Sequence, residues 1–256
     1  MDYSLIIDEI LGLWWLLLVL LALAALRMSW VKGLLGEVVV KLMTSVSLPS
    51  STYHRLHNVT LPTPDGTTQI DHILVSRFGI FVVETKNMKG WIFGGEQQAQ
   101  WTQKIFKQSF KFQNPLRQNY KHVKAIEAAL GIAPELIYSV VVFVGDSRFK
   151  TPMPDNVTYG FGYIRYIKSF RELVLSEDEL QELLSRLKEN RLRPSWQTHR
   201  QHVEQLKTRS DATAVRKCPR CGEPMVLRTA SRGANVGSRF WGCSAYPKCR
   251  ATQTQG

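Results

Sequence analysis

Residues 69 to 86 read QIDHILVSRFGIFVVETK, two apolar runs joined by a short Arg-Phe-Gly turn. The Ile, Val and Phe residues favour strands and Gly79 supplies a positive φ for the turn, so the stretch predicts a β-hairpin. The hairpin also carries Asp71, Glu84 and Lys86. Because strand side chains alternate, Glu84 and Lys86 project from the same face. Burying such charges is costly unless a metal, a substrate or each other compensates, so the hairpin is a candidate site.

The segments around this hairpin predict a mixed α/β domain over residues 29–190. Helices are predicted at 29–48, 114–130 and 169–189, the first and last from apolar residues three and four apart, with Leu173 on the apolar face of the last. Asn114 is expected to cap the second helix and Gly131 to end it. Short strands are predicted near residues 90–95, 100–103, 138–144 and 163–167. Alternating strands and helices of this kind are typical of a sheet flanked by helices.

Length and charge limit the class of protein. A chain of 256 residues with 44% apolar composition buries a substantial core, which excludes a disordered protein. Residues 191–256 hold 13 Lys and Arg residues against three acids, so +10 of the net charge of +12 lies there. A basic tail of this kind indicates a polyanionic partner, either nucleic acid or an anionic membrane face, although such charge also serves solubility. Residues 191–216 are interpreted as a solvated basic linker or a basic surface helix.

The N-terminal residues predict a membrane anchor. Residues 10–26 are 17 uncharged, mostly apolar residues, near the lower limit for crossing a bilayer. Acids precede this run, whereas Arg27, Lys32 and Lys41 follow it, so the positive-inside rule places the rest of the chain in the cytoplasm. The sequence therefore predicts a single-pass protein of the inner membrane with residues 1–28 as anchor and the N-terminus outside. A cleaved signal peptide is the alternative, but such peptides begin with basic residues.

The hairpin and its surroundings resemble the nuclease-related domain family, within the PD-(D/E)xK nuclease superfamily. The resemblance covers about 90 residues, and the residues that carry it are Gly36-Glu37, Ile70-Asp71-His72, Gly79 to Lys86, Gly90-Trp91-Ile92, Trp101, Asn114-Pro115, Gln118-Asn119 and His122. It implies a restriction-endonuclease-like mixed sheet flanked by helices. The ordered set is specific, whereas Asp71 with Glu84-x-Lys86 alone recurs by chance.

That resemblance implies metal-assisted hydrolysis of phosphodiester bonds. Asp71 and Glu84 would bind Mg²⁺ or Mn²⁺, with the backbone carbonyl of Thr85 as a further ligand, and Lys86 would be the catalytic lysine. Glu37 would add an auxiliary acid. Gln118 and His122 share a helix face and are candidates for contacting a phosphate or the attacking water, although a lone His is more often structural. The structural alternative for Glu84 and Lys86 is an ion pair, with Asp71 capping a turn.

The four cysteines predict a zinc site in residues 217–256. Cys218-x2-Cys221 and Cys243-x5-Cys249 are two close pairs, a spacing that favours four thiolates on Zn²⁺ over disulfides. The second pair lies in FWGCSAYPKC, residues 240–249, which resembles the zinc ribbon of type IA topoisomerases. The alternative is a structural zinc site that stabilises the fold of this segment and does not bind nucleic acid. Aromatic residues interleaved with basic ones suit stacking on unpaired bases beside phosphate contacts, and these are Arg239, Phe240, Trp241, Tyr246, Lys248 and Arg250.

Together these patterns predict a membrane-anchored, metal-dependent nuclease with a zinc ribbon that binds nucleic acid, DNA more than RNA. No small-molecule cofactor is expected, and the sequence does not indicate an oligomeric state. One alternative is a non-catalytic nucleic-acid-binding or scaffolding protein that retains the nuclease fold. Another is a protein whose basic tail contacts lipid head groups.

Overall fold

A computed structural model describes residues 14–64, 66–192, 216–230, 236–237 and 239–254. The chain divides into two compact units. The larger lies within residues 1–63 and 68–192, and the smaller within 64–67 and 193–256. Residues 1–13 of the predicted anchor lie outside the described residues, and so do residues 193–215 of the predicted linker.

The larger unit is a mixed α/β structure, as predicted. Its elements in chain order are α1 (Trp14–Arg27), α2 (Ser29–Ser47), β1 (His54–Thr63), β2 (Gly66–Ser76), β3 (Gly79–Asn87), β4 (Gly90–Phe93), β5 (Gln100–Ile105), β6 (Gln108–Gln113), α3 (Pro115–Leu130), a 3-10 turn (Pro134–Leu136), β7 (Ile137–Val144), β8 (Ser147–Phe149), β9 (Val157–Tyr159), α4 (Gly162–Ser169) and α5 (Glu177–Asn190).

A five-stranded sheet in the order β1-β2-β3-β7-β9 forms the centre of this unit. Strands β2 and β3 are antiparallel, whereas β3 with β7 and β7 with β9 are parallel. Helices cover both faces of the sheet, and successive side chains of β3 therefore pack into two different apolar clusters, one on each face. Ile80 and Val82 pack with α3 and α5, whereas Phe81 and Val83 pack with α2 and α4. The result is three layers with β3 buried in the middle.

The turn between β2 and β3 confirms the predicted hairpin. Ser76 pairs with Gly79, which adopts φ +117°. A Cβ at Gly79 would lie 2.5 Å from a ring carbon of Tyr138 and 2.9 Å from the carbonyl oxygen of Leu136. Only glycine adopts this backbone angle without strain, and any larger residue would have to displace Tyr138 or Leu136.

The helix caps follow the sequence signals. The side chain of Asn114 accepts a hydrogen bond from the backbone N–H of Leu116, Pro115 occupies the first turn, and Gly131 ends α3 at φ +63°. Helix α5 begins with a capping box in which Ser176 and Glu179 bond each other's backbone N–H. The predicted start of this helix at residue 169 was too early, and Leu173 is 55% exposed instead of packing on its apolar face.

Residues 163–167 form part of helix α4, so the predicted strand there is wrong. Tyr163, Ile164 and Ile167 are all buried against one face of the central sheet. Spacings of one, three and four residues match a helix face and do not match the alternation of a strand. Tyr163 also donates a hydrogen bond to the carbonyl of Val40 and pairs with the hydroxyl of Thr44, which fixes α4 beside α2.

A second sheet in the order β6-β5-β4-β8 follows directly after β3. Strand β6 was not predicted. Trp101 and Ile92 are fully buried beneath this sheet and pack with Phe143 of β7, which joins the two sheets in one unit.

Helix α1 contains 14 residues. No helix among the described residues is long and apolar enough to cross a membrane.

The smaller unit contains a four-stranded antiparallel sheet in the order β10 (Arg216–Lys217), β11 (Pro224–Thr229), β12 (Arg239–Cys243) and β13 (Thr252–Thr254). Its small core consists of Met225, Trp241 and three of the four cysteines.

Candidate functional site

The site in the larger unit is built on the C-terminal half of β3. Glu84 is buried at 2% exposure and Lys86 is about one-fifth exposed, and both follow Val82 on the face that α3 covers. Lys86 Nζ donates a hydrogen bond to Glu84 Oε1 at 2.7 Å. The predicted juxtaposition of the acid and the lysine is therefore present as an ion pair.

Helix α3 contributes two side chains to this pair. Gln118 Oε1 accepts a second hydrogen bond from Lys86 Nζ at 2.8 Å, and His122 Nε2 lies 3.2 Å from Glu84 Oε2. The other ring nitrogen of His122, Nδ1, lies 2.8 Å from the hydroxyl of Thr68. A continuous chain of hydrogen bonds thus runs from Gln118 through Lys86, Glu84 and His122 to Thr68. Both carboxylate oxygens of Glu84 are held by it.

The position of α3 relative to β3 is itself fixed by a buried amide. Asn119 is fully buried, and its Nδ2 donates to the carbonyls of Val82 and Val140 at 2.8 and 3.1 Å. These carbonyls belong to neighbouring parallel strands, so the amide fastens the helix to both. Gln118 and His122 flank Asn119 on the helix, which places them over Lys86 and Glu84.

Asp71 joins the site through the backbone of β3. Its Oδ2 accepts a hydrogen bond from the backbone N–H of Thr85 at 2.8 Å, between the two charged residues. The Oγ1 atom of Thr85 is buried and has no hydrogen-bond partner among the described residues. Asp71 therefore lies next to Glu84, and the hydroxyl of Thr85 nearby lacks a hydrogen bond within the described part of the chain.

The electrostatics of the acids show how closely they are placed. Burial, and then the negative charge of Glu84, raises the pKa of Asp71 to about 8, and Glu37 adds to that shift. Burial and Glu84 also raise the pKa of Glu37, which comes from α2 on the opposite side of the sheet. Burial opposes ionisation of Glu84, but His122 and Lys86 outweigh it and hold the pKa of this carboxyl below its usual range.

The structure thus joins Asp71, Glu84, Thr85, Lys86 and Gln118 by hydrogen bonds, whereas Glu37 is linked to them through its charge alone. Within the described residues, the only group of three or more His, Cys, Asp or Glu ligand atoms lying within 4.8 Å of one another is the four cysteines. The acids of the larger unit therefore do not form a closed cage.

A pair of histidines lies beside these acids. Nδ1 of His72, the residue after Asp71, lies 2.8 Å from Nδ1 of His57 on β1. Burial, followed by the proximity of His57, lowers the pKa of His72 to about 3. The pair is neutral near pH 7, and so it does not supply a positive charge to balance the acids.

In the smaller unit, the four cysteines converge as predicted. Their sulfur atoms all lie within 4.8 Å of one another, and none forms a disulfide. Cys218 and Cys249 are 3.7 Å apart, and Cys221 and Cys243 are 3.4 Å apart. Four thiol ligands from two loops match the tetrahedral site that Zn²⁺ prefers, so the donor set fits zinc.

The predicted nucleic-acid contacts of this unit separate into two groups. Arg239, Lys248 and Arg250 are exposed, and Tyr246 is 59% exposed with Arg228 lying 5.7 Å from its ring centre. Phe240 is half-buried. Trp241, in contrast, is 3% exposed and packs in the core with the cysteines, so its ring has no face open to a base.

Thr68 is the site residue that sequence reasoning missed. It lies 54 positions from His122 in the chain, and its residue type is common on strands. No local pattern links the two, because the contact depends on how α3 crosses the sheet.

Comparisons with known proteins find a family match in each of the two units. Residues 32–144 match the nuclease-related domain family, and residues 215–255 match the topoisomerase DNA binding C4 zinc finger family. An uncharacterized protein of Bacillus anthracis is 44% identical over 157 residues, which cover 59% of this chain and 73% of that protein. No solved structure matches the chain. The chain therefore belongs to the same protein family as the Bacillus anthracis protein. It contains a nuclease-related domain followed by a topoisomerase-type C4 zinc finger.

Proposed function

We propose that the chain is a metal-dependent nuclease that hydrolyses phosphodiester bonds of DNA and holds its substrate in part through the zinc finger. The observation that carries the proposal is the hydrogen-bonded chain from Gln118 through Lys86 to Glu84, beside Asp71. The match to a DNA-binding zinc finger favours DNA over RNA as the substrate.

The donor set of the acids fits Mg²⁺ or Mn²⁺. Asp71, Glu84 and the backbone carbonyl of Thr85 offer the hard oxygen ligands that these ions prefer. Burial, followed by the negative charge of Glu84, raises the pKa values of Asp71 and Glu37, and a bound divalent cation would favour their ionised forms. When bound, such an ion polarises the phosphoryl oxygen and lowers the pKa of its water.

The side chains of the chain itself supply positioning and charge. Lys86 is partly exposed and held from two sides, so its ammonium group is fixed in position before the substrate binds. Positive charge fixed in this way stabilises the negative charge that develops in the transition state. Gln118 orients Lys86, and His122 prevents the Glu84 carboxylate from rotating.

The test compares Glu84→Gln with the wild-type chain on labelled DNA in the presence of Mg²⁺. The substitution keeps the shape but removes the charge, and we expect cleavage to fall by at least about 100-fold. Glu182→Gln is the matched control, because Glu182 is an exposed acid paired with Arg186 on α5. Cleavage that persists in the Glu84 variant would refute the assignment. A wild-type chain that binds DNA without cutting it would favour the non-catalytic alternative.

We also propose that the N-terminal segment anchors the protein in the inner membrane with the nuclease-related domain in the cytoplasm. The support is the apolar run at residues 10–26, which acids precede and basic residues follow. Alkaline carbonate extraction of cell membranes tests the placement. Release of the full chain into the soluble fraction would contradict it.

A further inference from the structure

The four-stranded sheet β6-β5-β4-β8 has one face that the larger unit leaves open. The strand registers place Arg148, Trp91 and Lys104 in one row across three neighbouring strands. Lys111 lies on the same face, because its Nζ donates to the hydroxyl of Thr102, which is two residues from Lys104. We call the surface formed by Trp91, Lys104, Lys111, Arg148 and Lys150 the basic face.

The basic face is strongly positive and has no acid in its strands. The sequences of β4, β5, β6 and β8 contain no Asp or Glu. Its Lys and Arg side chains are exposed, and the described residues give none of the four an ion pair. Since strands are about 4.8 Å apart and residues two apart on one strand about 7 Å, these charges occupy an area of roughly 15 by 7 Å.

An aromatic ring lies in the middle of these charges. Trp91 is 47% exposed, and Lys150 Nζ lies 4.5 Å from its ring centre. The hairpin between β5 and β6 adds Phe106, which is 94% exposed at the tip with φ +51°. Phe106 is thus a large apolar side chain exposed in a strained turn next to lysines. Nucleic-acid-binding proteins use such side chains to insert between bases or to stack on them.

The basic face is also close to the proposed catalytic residues. Trp91 is five residues after Lys86, so their Cα atoms lie no more than about 18 Å apart. Both belong to the larger unit. The basic face is the outer face of its sheet, because Ile92 and Trp101 on the other face pack against Phe143 of β7.

We propose that the basic face binds a single strand of nucleic acid, with Trp91 stacking on a base and Lys104, Lys111 and Arg148 contacting phosphates. The proposal rests on the nuclease function proposed above and adds a substrate surface that is distinct from the zinc finger. Charge complementarity and the central ring favour a nucleic acid over an anionic membrane, for which lysines alone suffice.

The experiment measures binding of the full chain to a labelled oligothymidylate by fluorescence anisotropy at increasing salt, without added Mg²⁺. Because no cleavage is needed, a failure of the nuclease assignment does not affect this result. For the Lys104→Ala/Lys111→Ala variant we expect the slope of log K against log salt to become less negative by about 1.4, since each lost phosphate contact on a single strand contributes about 0.7. For Trp91→Ala we expect at least about fivefold weaker binding with little change in slope.

The matched control is Lys168→Ala/Lys188→Ala, which removes the same charge from exposed positions on α4 and α5. This variant is expected to retain the wild-type slope. An unchanged slope in the Lys104 and Lys111 variant, or an equal change in both double variants, would overturn the proposal. The proposal would also be overturned if the Lys104→Ala/Lys111→Ala variant lost binding to phosphatidylserine vesicles but bound the oligonucleotide as the wild-type chain does. All of the substituted side chains are exposed, and unfolding midpoints by circular dichroism check that the variants fold.

Discussion

At the scale of single residues, His122 connects Glu84, the proposed metal ligand, to the rest of the fold. It is 5% exposed and bridges Glu84 and Thr68. We expect His122→Ala to lower cleavage by about 10- to 100-fold, as loss of a supporting hydrogen bond does at metal sites. Because the histidine holds Glu84 in position, the loss is expected to include a shift of the Mg²⁺ dependence to higher concentration.

Two further variants distinguish this positioning role from a structural one. His122→Asn retains a donor and is expected to recover part of the activity, and Thr68→Val removes only the distant hydroxyl and is expected to have a smaller effect. A His122→Ala variant that is less stable but has an unchanged Mg²⁺ titration would show that the residue only supports the fold.

Asp71 predicts a dependence of stability on pH. Its pKa of about 8 in the folded chain lies above the usual 3.8, so the folded state binds more protons than the unfolded state in this range. The free energy of unfolding should therefore fall as the pH rises from 6.5 to 8, by at most about 1.4 kcal/mol per pH unit. The lowered pKa values of His72 and His57 oppose this fall near pH 6.5 but have little effect above about pH 7.5, where both groups are neutral in the folded and unfolded states.

Urea unfolding at several pH values, without divalent metal, measures this effect. Asp71→Asn is expected to flatten most of the slope, leaving the smaller share of Glu37, whose pKa is also raised. Added Mg²⁺ should flatten the wild-type slope as well. A wild-type slope equal to that of the variant would contradict the pKa shift.

At the scale of elements, the hairpin turn depends on Gly79. Alanine there would combine a strained φ of +117° with a Cβ 2.5 Å from the Tyr138 ring. We expect Gly79→Ala to lower the free energy of unfolding by about 2–4 kcal/mol, from backbone strain together with overpacking. Gly131→Ala is the control, because that glycine also has positive φ but its nearest neighbour is 4.0 Å away. It should cost about 1 kcal/mol, and equal losses in urea unfolding would refute the packing argument.

The elements also show what the sequence reveals and what it does not. Local signals sufficed for the β2–β3 hairpin and for α3, because Gly79, Asn114 and Gly131 each act within a few residues. They failed at α4, where a short apolar segment fits either a helix or a strand until its neighbours are known. The pairing of Glu84 with Lys86 follows from strand alternation alone. The bridge from Glu84 to Thr68 does not, because it depends on the packing of α3 across the sheet.

At the scale of the whole molecule, the two units have separate cores of different kinds. The core of the larger unit consists of apolar side chains on both faces of the central sheet. The core of the smaller unit includes Cys218, Cys243 and Cys249, which are metal ligands in the proposed zinc site. A core made largely of thiols contributes little hydrophobic stabilisation, so the smaller unit should depend on metal for its folding.

Zinc removal tests this difference in the full chain. We expect about one zinc per chain under reducing conditions, and after chelation we expect rapid amide hydrogen exchange in β11 and β12 while β2, β3 and β7 keep their protection. Cys243→Ser should reproduce the chelated pattern, because it removes a ligand that is also fully buried. Protection in β11 and β12 that survives both treatments would show that the smaller unit folds without metal. Loss of protection in β3 as well would show that the larger unit depends on the smaller one for its stability.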